Sequence, residues 1–161
     1  MPIVKNQVEV DVRAELGNEP RLPYPDEIAV DAFRGAVTLR GTVGSFSQRR
    51  AAEAAARRTR GVIDVYDELQ VRLLAGNRRA DAEIRGAALQ RLMWDPDLVD
   101  DYIDVRVNDG WLTLSGEVDY QYQSDAAFEH AASLQGVTGV TNEIRVIQRV
   151  DRRARQAPST P

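Results

Sequence analysis

Between Ile28 and Phe33 apolar residues fall on alternate positions, with Ile28, Val30 and Ala32 on one side and Ala29, Asp31 and Phe33 on the other. A period of two marks a strand with one buried face. Past Gly35 the chain returns as a second strand, in which Val37, Leu39 and Val43 face one way and Thr38, Arg40 and Thr42 the other. On either side of this pair the period lengthens. Val8, Val12 and Leu16 sit at i, i+4 and i+8, the stripe of an amphipathic helix that stops near Pro20. Ala52, Ala56 and Thr59 line a second helix from about Gln48 to Arg60, and Gly61 stands where a left-handed cap would end it. Leu69, Val71 and Leu73 then make a last strand.

The whole pattern occurs twice. Displaced by 75 positions, Ile28–Arg72 aligns with Ile103–Ile147 without a gap, and 16 of the 45 columns are identical. Gly35, Thr38, Leu39, Gly41 and Val43 return as Gly110, Thr113, Leu114, Gly116 and Val118; Gly61, Val65 and Glu68 return as Gly136, Val140 and Glu143. After a one-residue slip the leading helix returns as well, with Ile84, Ala88 and Leu92 in its stripe and Pro96 beyond it. Trp94, at the end of that helix, is expected in the core, and Trp111, after the hairpin signal Asn108-Asp109-Gly110, half exposed.

Strands that alternate in polarity bury one face, so both helices of a repeat belong on that face. The expected fold is α+β: two tandem αββαβ units, each a small mixed three-stranded sheet with two helices on one face. The units are expected at residues 1–75 and 76–148, followed by a disordered basic, Pro-containing tail at 149–161.

Composition narrows the function classes. The chain has no cysteine, which excludes disulfides, thiolate metal sites and a thiol nucleophile. The net charge of −4 is unevenly spread: residues 1–75 carry 11 basic and 11 acidic groups, residues 76–147 carry 6 and 13, and the remainder 4 and 1. The second repeat is therefore a poor nucleic-acid surface, and no nucleic-acid partner is expected. The start, MPIVKNQVEVDV, lacks the basic and apolar regions of a secretory signal, and no transmembrane segment follows. The expectation is a cytoplasmic protein with at most peripheral membrane association.

The order of residues in IAVDAFRGAVTLRGTV with GVIDVYDELQV, and again in IDVRVNDGWLTLSGEV with GVTGVTNEIRV, resembles the BON domain, a bacterial module of stress and nodulation proteins. The resemblance covers about Asn6 to Ile147. It implies the αββαβ fold, a non-enzymatic role, binding to phospholipid surfaces and a setting of osmotic or envelope stress. The resemblance extends to single-module cytoplasmic members of the family that look like potassium-binding proteins. This chain lacks the peptidoglycan-binding module that accompanies them.

Candidate chemistry concentrates in VTLRGTVGSFSQRR. It is no nucleotide phosphate loop, since the Gly-Lys-Ser/Thr ending is missing and Lys5 is the only lysine. Gly41 recurs as Gly116 and reads as a packing glycine. What does not recur is Ser45, Phe46, Ser47, Arg49 and Arg50, whose counterparts are Tyr120, Gln121, Tyr122, Ser124 and Asp125. Two readings stay open for the first set: a Ser45–Gln48 capping box with solvated arginines, or a helix start whose N–H groups and arginines meet a lipid-headgroup phosphate. Tyr120 and Tyr122 either settle in a membrane interface or cover the edge of the core. The candidate lipid- or anion-binding residues are thus Ser45, Phe46, Ser47, Arg49, Arg50, Tyr120 and Tyr122.

No catalytic residue, metal site or cofactor is expected. His130, the only histidine, reads as a surface residue. The acidic run Asp95, Asp97, Asp100, Asp101 and Asp104 lacks EF-hand spacing and reads as a solvated face, with cation binding as the alternative. The leading partner is an anionic phospholipid surface. The alternative is a protein partner, met through exposed sheet edges.

Overall fold

The computed structural model describes residues 7–98 and 102–147, and the chain divides into two compact units at Leu74/Ala75. The tail expected from residue 149 lies outside the described residues. The first unit runs α1 (Gln7–Gly17), β1 (Ile28–Phe33), β2 (Ala36–Val43), α2 (Phe46–Arg57) and β3 (Asp64–Val71). The second runs α3 (Asp81–Trp94), β4 (Ile103–Asn108), β5 (Trp111–Val118), α4 (Gln121–Ala132) and β6 (Gly139–Val146). Each sheet is mixed. The sheet order is β1-β2-β3, with β1 antiparallel to β2 and β2 parallel to β3, and β4-β5-β6 repeats this arrangement.

Each hairpin turns on two residues in the left-handed region, Arg34 and Gly35 (φ 51° and 84°) and Asp109 and Gly110 (φ 52° and 81°). Left-handed conformation at both central positions is the type I′ turn, whose twist suits a two-residue hairpin. The core of the first unit joins Val12 and Leu16 of α1, Val30 of β1, Val37 and Leu39 of β2, and Ala51, Ala52, Ala55 and Ala56 of α2. Alanine on that face of α2 lets the helix lie close to the sheet. Gly41 has φ 133°, and a Cβ there would come within 2.6 Å of the Glu27 carbonyl oxygen; Gly116 meets Tyr102 in the same way. The recurrent glycine therefore serves packing: another stretch of backbone passes directly over it.

Trp94 departs from expectation, being 71% exposed. The buried stripe of α3 is Ile84, Ala88 and Leu92. At about 100° per residue, two positions beyond Leu92 turns Trp94 to the far side of the helix.

Each outer strand has at least one of its outward backbone groups taken by a side chain. In a two-residue hairpin the closing pair is hydrogen-bonded, so Val30 and Val105 direct their backbone groups away from the partner strand. Arg13 Nη2 reaches the Val30 carbonyl at 3.5 Å, and Arg85 Nε donates to the Val105 carbonyl at 2.7 Å. On β3 the outward Asp67 carbonyl and Leu69 N–H are both taken by side chains, and on β6 the Ile144 N–H is. Such cover obstructs pairing with another strand.

Candidate functional site

The candidate residues follow the central strand of each unit, where the chain enters a helix. Ser45 is the N-cap of α2: its Oγ accepts from Gln48 N–H at 3.1 Å, and Gln48 Oε1 accepts from Gly44 N–H at 2.9 Å. The helix therefore begins at Phe46, two residues before the apolar stripe suggests, with Ser45 as the cap. Phe46 is buried, Ser47 is exposed and Arg50 is half-buried.

Arg49 turns toward the sheet. Its Nη2 donates to the Asp67 carbonyl at 3.0 Å, and Nε lies 3.1 Å from Asp67 Oδ1, a contact of charges off the hydrogen-bonding line. The Asp67 side chain is 8% exposed and that of Arg49 25%. Burial pushes the Asp67 carboxyl above its ordinary pKa, opposed by the Leu69 N–H and by Arg49. Arg49 is thus a brace tying α2 to β3. In the second unit the brace is rebuilt without charge: Asn142 Nδ2 donates to Ser124 Oγ at 2.9 Å, and Asn142 Oδ1 accepts from Ile144 N–H as Asp67 Oδ1 does from Leu69 N–H. Positions 49 and 67 change together into Ser124 and Asn142, a joint switch visible on sliding the sequence over itself.

Tyr120 and Tyr122 stand in the other unit, at the start of α4, 43% and 53% exposed. Their rings stack, with centroids 5.7 Å apart and planes 22° apart. In the same turn, Gln123 is buried and its amide is engaged through both its oxygen and its nitrogen. Oε1 accepts from the N–H groups of Asp119 and Tyr120 at 3.0 and 2.9 Å, and Nε2 donates to the Asp97 carbonyl at 2.8 Å. The aromatic pair is therefore displayed on a stiff base. Trp111, half exposed as expected, donates its indole N–H to Thr141 Oγ1 at 2.8 Å. It lines an open cleft of about 710 Å³ with Arg85, Arg106, Val107, Asn108, Thr113 and Glu143.

Two aspartates of the acidic run, Asp95 and Asp104, are engaged. Asp95 Oδ2 lies 2.8 Å from His130 Nε2, and Asp95 Oδ1 accepts from Asp97 N–H at 2.9 Å; the first of these bonds, then the second, holds the Asp95 carboxyl below the ordinary range. His130 is half-buried rather than on the open surface, because the loop after α3 folds against α4. Asp104 lies 3.7 Å from Arg85 Nη2. Asp100 and Asp101 fall outside the described residues, among which no group of three His, Cys, Asp or Glu side chains is arranged to hold a metal ion. Among those residues, too, no helix is long and apolar enough to cross a membrane.

The family model of the BON domain matches residues 5–72 and again residues 80–148. The chain belongs to the BON domain family. Over 146 residues it is 32% identical to Osmotically-inducible protein Y of Escherichia coli (strain K12), covering 86% of this chain and 70% of that one. It is 27% identical over 143 residues to the 21 kDa hemolysin of Actinobacillus pleuropneumoniae, covering 88% and 73%. Among solved structures, the C-terminal domain of CdsD, a structural protein of the type III secretion system of Chlamydia trachomatis, aligns at 11% identity with a TM-score of 0.37, over 90% of this chain and all of that one. A second CdsD structure gives 12% identity and a TM-score of 0.39, over 96% and 68%. Each BON unit here has the order αββαβ, and at the strand-to-helix junction the two copies differ at six of the seven positions from Gly44 to Arg50.

Proposed function

We infer that the two BON units form a non-catalytic module that attaches peripherally to anionic phospholipid surfaces in an osmotic-stress setting, the condition named in its Escherichia coli relative. The observation that carries the reading is the exposed, stacked Tyr120–Tyr122 pair on its rigid support. Amphipathic aromatic rings favour the boundary between headgroups and acyl chains, and a preordered pair loses little side-chain freedom on entering it. The anionic preference falls to the charge-balanced first unit, since the second is acidic.

The obstructed edges at Val30, Asp67, Val105 and Ile144 speak against a scaffold that works by strand pairing. The occupied Asp95 and Asp104 speak against a cation site.

Co-sedimentation with neutral and with phosphatidylglycerol-containing vesicles tests the proposal. The protein should pellet with the anionic vesicles and less with the neutral ones. Equal pelleting with both, or with neither, overturns it.

A further inference from the structure

The tips of the two hairpins share a backbone and differ in chemistry. In the second unit the turn holds an anion: Asp81 Oδ2 and Oδ1 accept from the N–H groups of Asp109 and Gly110 at 2.9 and 3.0 Å. Two successive turn amides aimed at one carboxylate form an anion nest. The first unit has the same left-handed pair at Arg34 and Gly35. There, among the described residues, no acceptor takes either N–H. In the sequence the position of Asp81 corresponds to Lys5, which lies outside those residues.

The surroundings change in the same direction. Phe33 and Ile63 are 71% and 78% exposed, and the Arg34 guanidinium carbon lies 5.2 Å from the centre of the Phe33 ring. Ile63 reaches the turn from just before β3, its N–H donating to the Gly35 carbonyl at 2.8 Å. In the second unit the counterparts of Phe33, Arg34 and Ile63 are Asn108, Asp109 and Thr138. The fold tolerates the polar, acidic set, so it does not require the apolar, basic one. Two large apolar side chains held in water beside an open anion nest and a guanidinium match a surface that offers phosphate at one depth and hydrocarbon just below it.

We propose that the hairpin tip formed by Phe33, Arg34, Gly35 and Ile63 is a membrane-docking site. The turn amides and Arg34 hold the phosphate of an anionic phospholipid headgroup, while Phe33 and Ile63 enter the boundary of the acyl chains. The occupant rests on the lipid-surface reading; the site is separate from Arg50 and from the tyrosine pair.

The test transplants the second tip onto the first in the full chain, as F33N/R34D/I63T. Partitioning onto phosphatidylglycerol vesicles should fall about tenfold or more, from the lost apolar insertion and the reversed charge, with the melting temperature kept. Pelleting equal to wild type overturns the tip and leaves the lipid reading standing; failure of the wild type to pellet with any vesicle overturns both. A second readout is amide NMR during titration with dihexanoyl phosphatidylglycerol. The Arg34 and Gly35 resonances should shift while those of Asp109 and Gly110 stay. Unmoved Arg34 and Gly35 amides overturn the site, and an equal shift with inorganic phosphate alone overturns the lipid as its occupant.

Discussion

Replacing Arg49 by Ser, the residue of the second copy, removes the cation from an almost buried carboxylate. Breaking one side of a fully buried ion pair costs ~3–5 kcal/mol. Here Arg49 is a quarter exposed and Asp67 keeps the Leu69 N–H, so Arg49→Ser is expected to cost about 2–3 kcal/mol. Adding Asp67→Asn builds the neutral Ser–Asn brace seen at Ser124 and Asn142, and the double variant should return to within about 1 kcal/mol of wild type.

The pH dependence carries a definite sign. The Asp67 carboxyl has a raised pKa in the folded state, so the native protein binds that proton more readily than the unfolded chain. Its contribution therefore favours folding at low pH and is lost as pH climbs through the interval between the ordinary carboxylate value and the raised one. Loss of Arg49 widens that interval, and the penalty of Arg49→Ser should shrink between pH 7 and about pH 5. Urea denaturation of wild type, both single variants and the double variant at the two pH values checks this. Penalties of the single variants that simply add in the double, or an Arg49→Ser penalty unchanged by acid, would refute the brace.

Three further outcomes are expected. Gly41→Ala should cost about 2–4 kcal/mol, from the φ of 133° and the Glu27 carbonyl 2.6 Å from the new Cβ, whereas Gly44→Ala, whose Cβ meets only the Gln48 amide at 3.4 Å, should stay within about 0.5 kcal/mol; thermal melts separate them. The Asp95 carboxyl is lowered on folding, so its stabilisation is present above the ordinary carboxylate range and lost as pH falls through the lowered value; Asp95→Asn should therefore reduce the loss of melting temperature on acidification. Tyr120→Ser with Tyr122→Ser, the residues of the first copy at those positions, should weaken vesicle binding several-fold and leave the melting temperature unchanged, since both rings are about half exposed.

Local periodicity made most of the fold legible, because each αββαβ unit is built from short elements whose alternation, hairpin residues and capping glycines lie within a few positions of one another. Trp94 was misplaced by its neighbours: two apolar residues before it suggested a core, whereas the helical angle from Leu92 decides the matter. His130 has no partner nearby in the sequence, because Asp95 lies 35 positions away. The partner of Arg49 is distant in the sequence as well. Asp67 reaches it only once β3 lies parallel to β2, with Leu39 opposite Asp67. The hairpin tip was hidden likewise, since Ile63 reaches the turn at Gly35 only in the folded chain, although comparing the copies already shows Phe33, Arg34 and Ile63 replaced by Asn108, Asp109 and Thr138.

The arginines and the Asx side chains on the outer strands also bear on abundance. A small sheet with bare edges responds to crowding by adding strands from its neighbours, so that a rise in concentration lengthens ribbons. With the carbonyls of Val30, Val105 and Asp67 and the N–H of Ile144 already engaged, each outer strand resists such addition at a fixed point along its length. Protection of the edges then leaves the open turn amides of the first hairpin tip, not a sheet edge, as the backbone donors that a partner surface meets, while the second tip is closed by its own Asp81.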